Sequence, residues 1–239
     1  MKKTLAVVAV LATALTFATA KKSFSMTAGV RGNFGLGLGT ALDKDITDVG
    51  FKLDAFQTMN MGGGLFLNFP IASGIGIQPE VNYNYNTIHM TATTTNDSAK
   101  YKSVTTVAAS YSTIDIPVNV TYKFDKFTFL VGPVFTIPVG NIATATHNET
   151  TLNSTTNTSD NEGDLTLGSN FIMGMDVGLE YSMRIGMIQG FGGVRYNLDF
   201  MPMKAKEETK NSDGSTTTTY EELATRRTLA VTIGARVAL

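Results

Sequence analysis

IDIPVNVTYKFDKFTFLVGPVFTI, residues Ile114 to Ile137, decides how the rest of the chain is read. Ile114, Ile116, Val118, Val120, Tyr122 and Phe124 fall on every second position. Asp115, Asn119, Thr121 and Lys123 stand between them. A step of two gathers the apolar side chains on one face of a strand; a helix would scatter them around its axis. Asp125-Lys126 makes a tight turn, and Phe127, Phe129, Val131, Phe135 and Ile137 resume the alternation. The 11 residues from Ile114 to Phe124 match the length that a tilted strand needs to cross a bilayer.

Working outward, the same pattern recurs. Met26, Ala28, Val30, Phe34, Leu36 and Leu38 mark a first strand; Met61, Leu65, Leu67 and Phe69 mark a second. In the third, Ile75, Ile77, Val81, Tyr83 and Tyr85 alternate with Gln78, Glu80, Asn82, Asn84 and Asn86. The opening hairpin supplies the fourth and fifth. Residues 167–183, 188–200 and 229–239 supply three more. Short turns at 70–74, 125–126 and 184–187 alternate with long polar stretches near 41–60, 88–110, 141–165 and 201–226, which are expected to be loops. An even strand count with short turns at one end and long loops at the other is the pattern of an outer-membrane barrel. The predicted fold is all-β: an eight-stranded antiparallel up-and-down transmembrane β-barrel over residues 26–239.

The polar rows carry both signs of charge: Arg31, Glu80, Asp115, Lys123, Asp176, Glu180, Arg195, Asp199 and Arg236. Charges cannot face lipid cheaply, so these residues are expected inside the cylinder, paired as a lumen network. Closure also gives every backbone N–H and C=O a partner. Phe69, Tyr122, Phe124, Phe127 and Tyr181 near the short turns form one expected aromatic girdle. Tyr83, Tyr85, Phe135, Phe171, Tyr196 and Phe200 form the other. A soluble lipocalin-like barrel would show the same alternation with the faces exchanged. Pro117 and Pro133, which cannot donate to a ladder, predict a bulge or a skipped hydrogen bond in a closed barrel.

Composition agrees. Of 239 residues only 16% are charged, and there is no cysteine, which excludes a disulfide framework and a thiolate metal site. Residues 1–20 read as a secretory signal: Lys2-Lys3, an apolar run from Leu5 to Ala18, and Ala18-Thr19-Ala20 for cleavage after Ala20. Residues 21–25 are a lead-in. Without the two leader lysines, 17 basic residues face 20 acidic ones, a formal charge of −3, so no basic field attracts nucleic acid.

Ile77-Gln78-Pro79-Glu80-Val81-Asn82-Tyr83, Ile114-Asp115-Ile116-Pro117-Val118, Val131-Gly132-Pro133 and Gly192-Gly193-Val194-Arg195-Tyr196-Asn197 carry a resemblance. The chain is similar over most of its length to the small outer-membrane β-barrel domain family that includes PorT-like proteins. That resemblance implies an eight-stranded barrel shaped like OmpX- and OmpA-type barrels, with both ends in the periplasm. It also implies that Thr232 to Leu239 is read by the outer-membrane assembly machinery, although the chain ends in Leu239 and not in Phe.

Candidate chemistry is sparse. The two histidines, His89 and His147, lie at a strand end and in a loop. His89 with Ser98, Ser103 and Asp97 would be the nearest approach to a lipid-modifying site, since a general base must reach its nucleophile. Asp160-Asn161-Glu162-Gly163-Asp164 offers oxygen ligands without the spacing of a calcium loop. Asn148-Glu149-Thr150 and Asn153-Ser154-Thr155 match glycosylation sequons, which Thr/Asn-rich loops produce by chance. No catalytic residue, cofactor or metal is assigned. Eight strands leave a bore that side chains fill, which argues against a solute channel. The expectation is a non-enzymatic bacterial outer-membrane protein. It touches membrane lipid, and its loops serve envelope integrity or an unknown ligand.

Overall fold

The computed structural model describes residues 26–38, 51–96, 100–167, 171–210 and 216–239. The expected signal sequence, the lead-in and the first part of the 41–60 stretch lie outside them. Eleven strands follow in order: β1 (Thr27–Gly37), β2 (Phe51–Ala72), β3 (Ile75–Asn96), β4 (Tyr101–Phe124), β5 (Phe127–Leu152), β6 (Thr155–Leu167), β7 (Ile172–Ile185), β8 (Ile188–Asp199), β9 (Met203–Lys210), β10 (Thr216–Ala224) and β11 (Arg227–Ala238). Eight of them close a ring, β1-β2-β3-β4-β5-β7-β8-β11, because β5 pairs with β7 and β11 pairs with β1. The expected eight-stranded antiparallel barrel is therefore the fold.

The organising hairpin lies in this ring with its apolar row outward. Val120, Tyr122 and Phe124 are 50%, 50% and 65% exposed, whereas Asp115, Asn119 and Thr121 between them are buried. Exposed apolar side chains continue around the cylinder: Val30, Phe34, Leu65, Phe129, Val177, Val194, Val231 and Ile233. A lipocalin-like core is thereby ruled out.

The three long stretches expected as loops within the described residues are not loops. β3 and β4 remain paired up to Asn96↔Tyr101, β5 and β6 pair from Asn141↔Thr166 to Leu152↔Thr155, and β9 and β10 form a hairpin. Residues 51–60 likewise belong to β2. Threonine is β-branched and suits a pleated surface. Where both faces of a sheet are polar, however, no apolar alternation marks the strand. Asn153 (φ 48°) and Ser154 (φ 70°) form the tip between β5 and β6, with the two positive φ values of a type I′ turn.

Pro117 and Pro133 interrupt ladders without shifting them. Between β4 and β5 the pairs run Pro117↔Val134 and then Val120↔Val131, so the register is kept across a gap opposite Pro133. Between β3 and β4 they run Pro79↔Val118 and then Asn82↔Asp115, a gap that contains Pro117. The skipped pairing occurs, and the bulge does not.

Inside, glycine makes room at close approaches. A Cβ on Gly132 would stand 2.1 Å from Val118 O and 2.8 Å from Asn119 Cα, both backbone atoms that cannot yield. On outward-facing Gly32 the nearest atom would be 3.8 Å away. Gly132→Ala should lower unfolding stability in urea by about 1–3 kcal/mol through overpacking, while Gly32→Ala stays within about 0.5 kcal/mol of the parent.

Candidate functional site

The barrel encloses two ionic clusters at different heights. Strand phase places them there: every second residue of each ring strand points inward. In the lower cluster Arg195 on β8 reaches across the bore to Glu80 on β3, four positions away around a ring of eight strands, hence diametrically opposite. The contact is a two-pronged fork: Nη2 donates to Oε1 at 2.9 Å and Nη1 to Oε2 at 3.1 Å. Arg195 also donates to Asp176 Oδ2 at 2.7 Å and to Glu180 Oε1 at 2.9 Å, both on β7. Arg31 Nη1 lies 2.8 Å from Glu80 Oε2 as an ion pair outside hydrogen-bond alignment, and its Nε donates to Asn82 at 3.1 Å. Arg236 stands 3.7 Å from Glu180 and donates to Ser182 at 2.8 Å.

The upper cluster repeats the cross-bore device one strand further round. Arg226, just before β11, donates from Nη1 to Asp115 on β4 at 2.8 Å. β4 and β11 are again opposite in the ring. Its Nε donates to Asp199 at 3.1 Å and its Nη2 to Thr136 at 2.9 Å. Asparagines extend both levels: Asn84 donates to Asp115 at 2.7 Å and Asn33 to Asn60 at 2.7 Å in the upper, and Asn119 donates to Asp176 at 2.8 Å in the lower.

Apolar groups close both ends of this lattice. Ile88, Tyr111, Ile142, Ile172 and Met203 cluster above it. Phe66 and Phe191 meet edge to face below it at 5.6 Å, with the Arg236 guanidinium 5.0 Å from the Phe191 ring centre. The cavity between the two clusters is about 10 Å³, room for a single water.

Of the expected lumen residues, Arg31, Glu80, Asp115, Asp176, Glu180, Arg195, Asp199 and Arg236 are buried in this lattice. Lys123 is the correction. It shares the inward phase of β4 but sits one residue before the strand ends at the short turn, where it is exposed to solvent. Arg226 was missed because it falls in the stretch expected to be a loop. Counting back by twos from Arg236 through Thr232 and Thr228 reaches it, so the phase signal was present in the sequence.

The histidines lie outside the bore. His89 faces Ala108 across the ladder, and Ser103 pairs with Thr94, five residues further along and so about 17 Å away. Asp97 and Ser98 lie outside the described residues. His147 Nδ1 and Asp160 Oδ1 are 2.5 Å apart on β5 and β6, both exposed, next to Thr106 on β4. Glu162, Asp164 and His89 border an outward trough of about 570 Å³ floored by Ala108, Ser110, Ala143 and Ala145. Among the described residues no group of three or more His, Cys, Asp or Glu is placed to hold a metal.

No protein-family model and no curated protein matches the chain. Solved structures similar to it are outer-membrane barrels. OprG, an outer membrane protein of Pseudomonas aeruginosa, is 10% identical with a TM-score of 0.41, covering 90% of this chain and 98% of its own. A major outer membrane protein of Thermus thermophilus is 12% identical with a TM-score of 0.38, covering 89% and 99%. Neisserial surface protein A is 10% identical with a TM-score of 0.37, covering 91% and 100%.

Removing one side of a buried ion pair strands the other charge, at a cost of about 3–5 kcal/mol. Arg195→Met and Arg226→Met should each lose about that much in urea titrations of the folded protein, and Lys123→Met should stay within about 0.5 kcal/mol.

Proposed function

We propose that this chain is a bacterial outer-membrane barrel that performs no chemistry of its own and serves as a rigid mount for three polar β-hairpins beyond the membrane. One observation carries the reading. At the same height, the wall is apolar on its outer surface and ionic on its inner one. Water would have to bear the exposed row of Val120, Tyr122, Phe129, Val177 and Val231, whereas hydrocarbon bears it without cost. The rings favour the same placement. Tyr122, Phe124, Phe127 and Tyr181 are exposed near the short turns, and Tyr83, Tyr85, Phe171 and Phe200 toward the hairpins.

A channel is disfavoured because the lattice fills the bore and leaves about 10 Å³ between its two levels. A lipid-modifying enzyme is disfavoured because His89 has Ala108 opposite it, and because the His147–Asp160 pair is open to water. The hairpins β3–β4, β5–β6 and β9–β10 then hold the remaining capacity to act, by binding an outside ligand or neighbouring envelope components. The C-terminal strand β11, which closes the ring between β1 and β8, is the segment that we assign to the assembly machinery.

An epitope inserted between Asn153 and Ser154 should be labelled on intact cells, and the purified protein should give no steady conductance in planar bilayers. An epitope hidden until the cells are lysed, or a mature protein that stays monomeric in buffer without detergent, overturns the membrane reading. Stable single-channel steps that respond to Arg195→Met would replace the mount with a pore.

A further inference from the structure

Above the bore, β3, β4, β5 and β6 continue as one four-stranded sheet whose two faces differ in charge. Ile88, Ala109 and Ile142 turn toward the bore, and strand alternation carries that side up the hairpins. Every charged or histidine residue of these four strands above that level has the opposite phase: His89, Lys102, His147, Glu149, Asp160, Glu162 and Asp164. The bore-side face of β4–β6 carries only hydroxyl, amide and apolar groups, in the rungs Ser103–Thr150–Asn157, Thr105–Asn148–Ser159 and Val107–Thr146–Asn161. Enclosure does not account for the difference, because the bore below buries four arginines and five carboxylates. Contact with water does not account for it either, because water admits charge on the other face of the same sheet.

We propose that this charge-free face binds a neutral saccharide from outside the cell, an inference that names the ligand of the hairpins and rests on the mount reading above. Charge narrows the choice. The outer face sets one lysine against four carboxylates, a formal 1 − 4 = −3, which repels a polyanion. A cation would settle on those carboxylates and not on the neutral face. An apolar ligand would strand hydroxyls and amides without partners. A saccharide hydroxyl both donates and accepts, as Ser, Thr and Asn side chains do, and its ring carbons can rest on Val107 and Ala109. Thr105 donates to Asn148 Oδ1 at 2.8 Å, which leaves the amide N–H donors of Asn148 to a ligand among the described residues. Thr146, Asn148 and Thr150 are half-buried, whereas Asn157, Ser159 and Asn161 are exposed at the rim. The three rungs cover about 14 Å along the strands and about 10 Å across them, room for a short oligosaccharide.

The test is a glycan array probed with the full-length mature protein in detergent micelles. It carries neutral hexose and N-acetylhexosamine oligosaccharides beside sialylated and sulfated ones. The parent should bind neutral glycans, and equally at about 50 and about 500 mM NaCl, since no ion pair forms. Thr146→Glu and Ser159→Asp put a charge on the face and should each weaken binding about tenfold. Thr106→Glu, on the other face beside His147, should bind as the parent does. Heat-modifiable gel migration confirms that each variant is folded. Binding confined to sialylated or sulfated glycans, binding lost at the higher salt, or no binding to any neutral glycan overturns the saccharide site. So do folded Thr146→Glu and Ser159→Asp variants that bind like the parent. In each of these cases the Asn153–Ser154 epitope separates the two readings: labelled on intact cells, it leaves the mount standing, and hidden until lysis, it overturns the mount as well.

Discussion

Charge buried in a closed cylinder must find its partner inside that cylinder, and this requirement shapes the chain more than any other. Arg195 draws its partners from the neighbouring strand and from the far side of the bore. It takes Glu80 from the opposite wall and Asp176 and Glu180 from β7, so four side chains from three strands converge on one level. Room for them comes from glycines on the same walls: a Cβ on Gly178 would stand 3.0 Å from Arg195 Cγ, and one on Gly193 would stand 2.3 Å from Leu179 O. Bulk is removed where charge is added.

The cross-bore forks also explain how a sheet with no central core keeps its shape. Ladder bonds join only neighbouring strands and would permit the ring to flatten. Arg195–Glu80 and Arg226–Asp115 brace two different diameters, one strand apart in rotation and at two heights, so the cross-section is constrained in both directions. Such forks give geometry more than stability, because desolvation offsets much of their attraction. The apolar closures, Phe66 with Phe191 below and the Ile88–Met203 cluster above, keep water from competing at either end.

Most of the barrel was legible because one face of each ring strand is uniformly apolar, and the phase of that face fixes the other. Glu80, Arg195 and Asp176 could be placed in this way from Val81, Val194 and Val177 beside them. Legibility failed wherever that contrast failed. Thr91 to Ser110 and Asn141 to Asp164 are polar on both faces, so their strands leave no periodic mark, and Arg226 was lost with the stretch that contains it. The apolar side chains within the bore were hidden for a different reason. Leu130, Val134 and Ile142 face inward on β5, where the alternation expects polar groups, and nothing local to them announces the exception. Lys123 shows the converse limit: phase gives the face of a strand but not the height, and height decides whether a side chain is enclosed.

The hairpin β9–β10 joins these themes. Its two feet differ in chemistry and both enter the mouth of the barrel. Met203 at the start of β9 packs into the upper apolar cluster, and Arg226, two residues after β10, braces Asp115 and Asp199. A loop tied only at the surface would pivot freely, whereas one whose feet are buried transmits its direction from the bore. The orientation of this hairpin is therefore set jointly by those ion pairs and by the two rungs that join β9 to β6, Thr166↔Lys206 and Leu167↔Ala205, so a change in the upper cluster bears on what the outside world meets as well as on how firmly the wall stands.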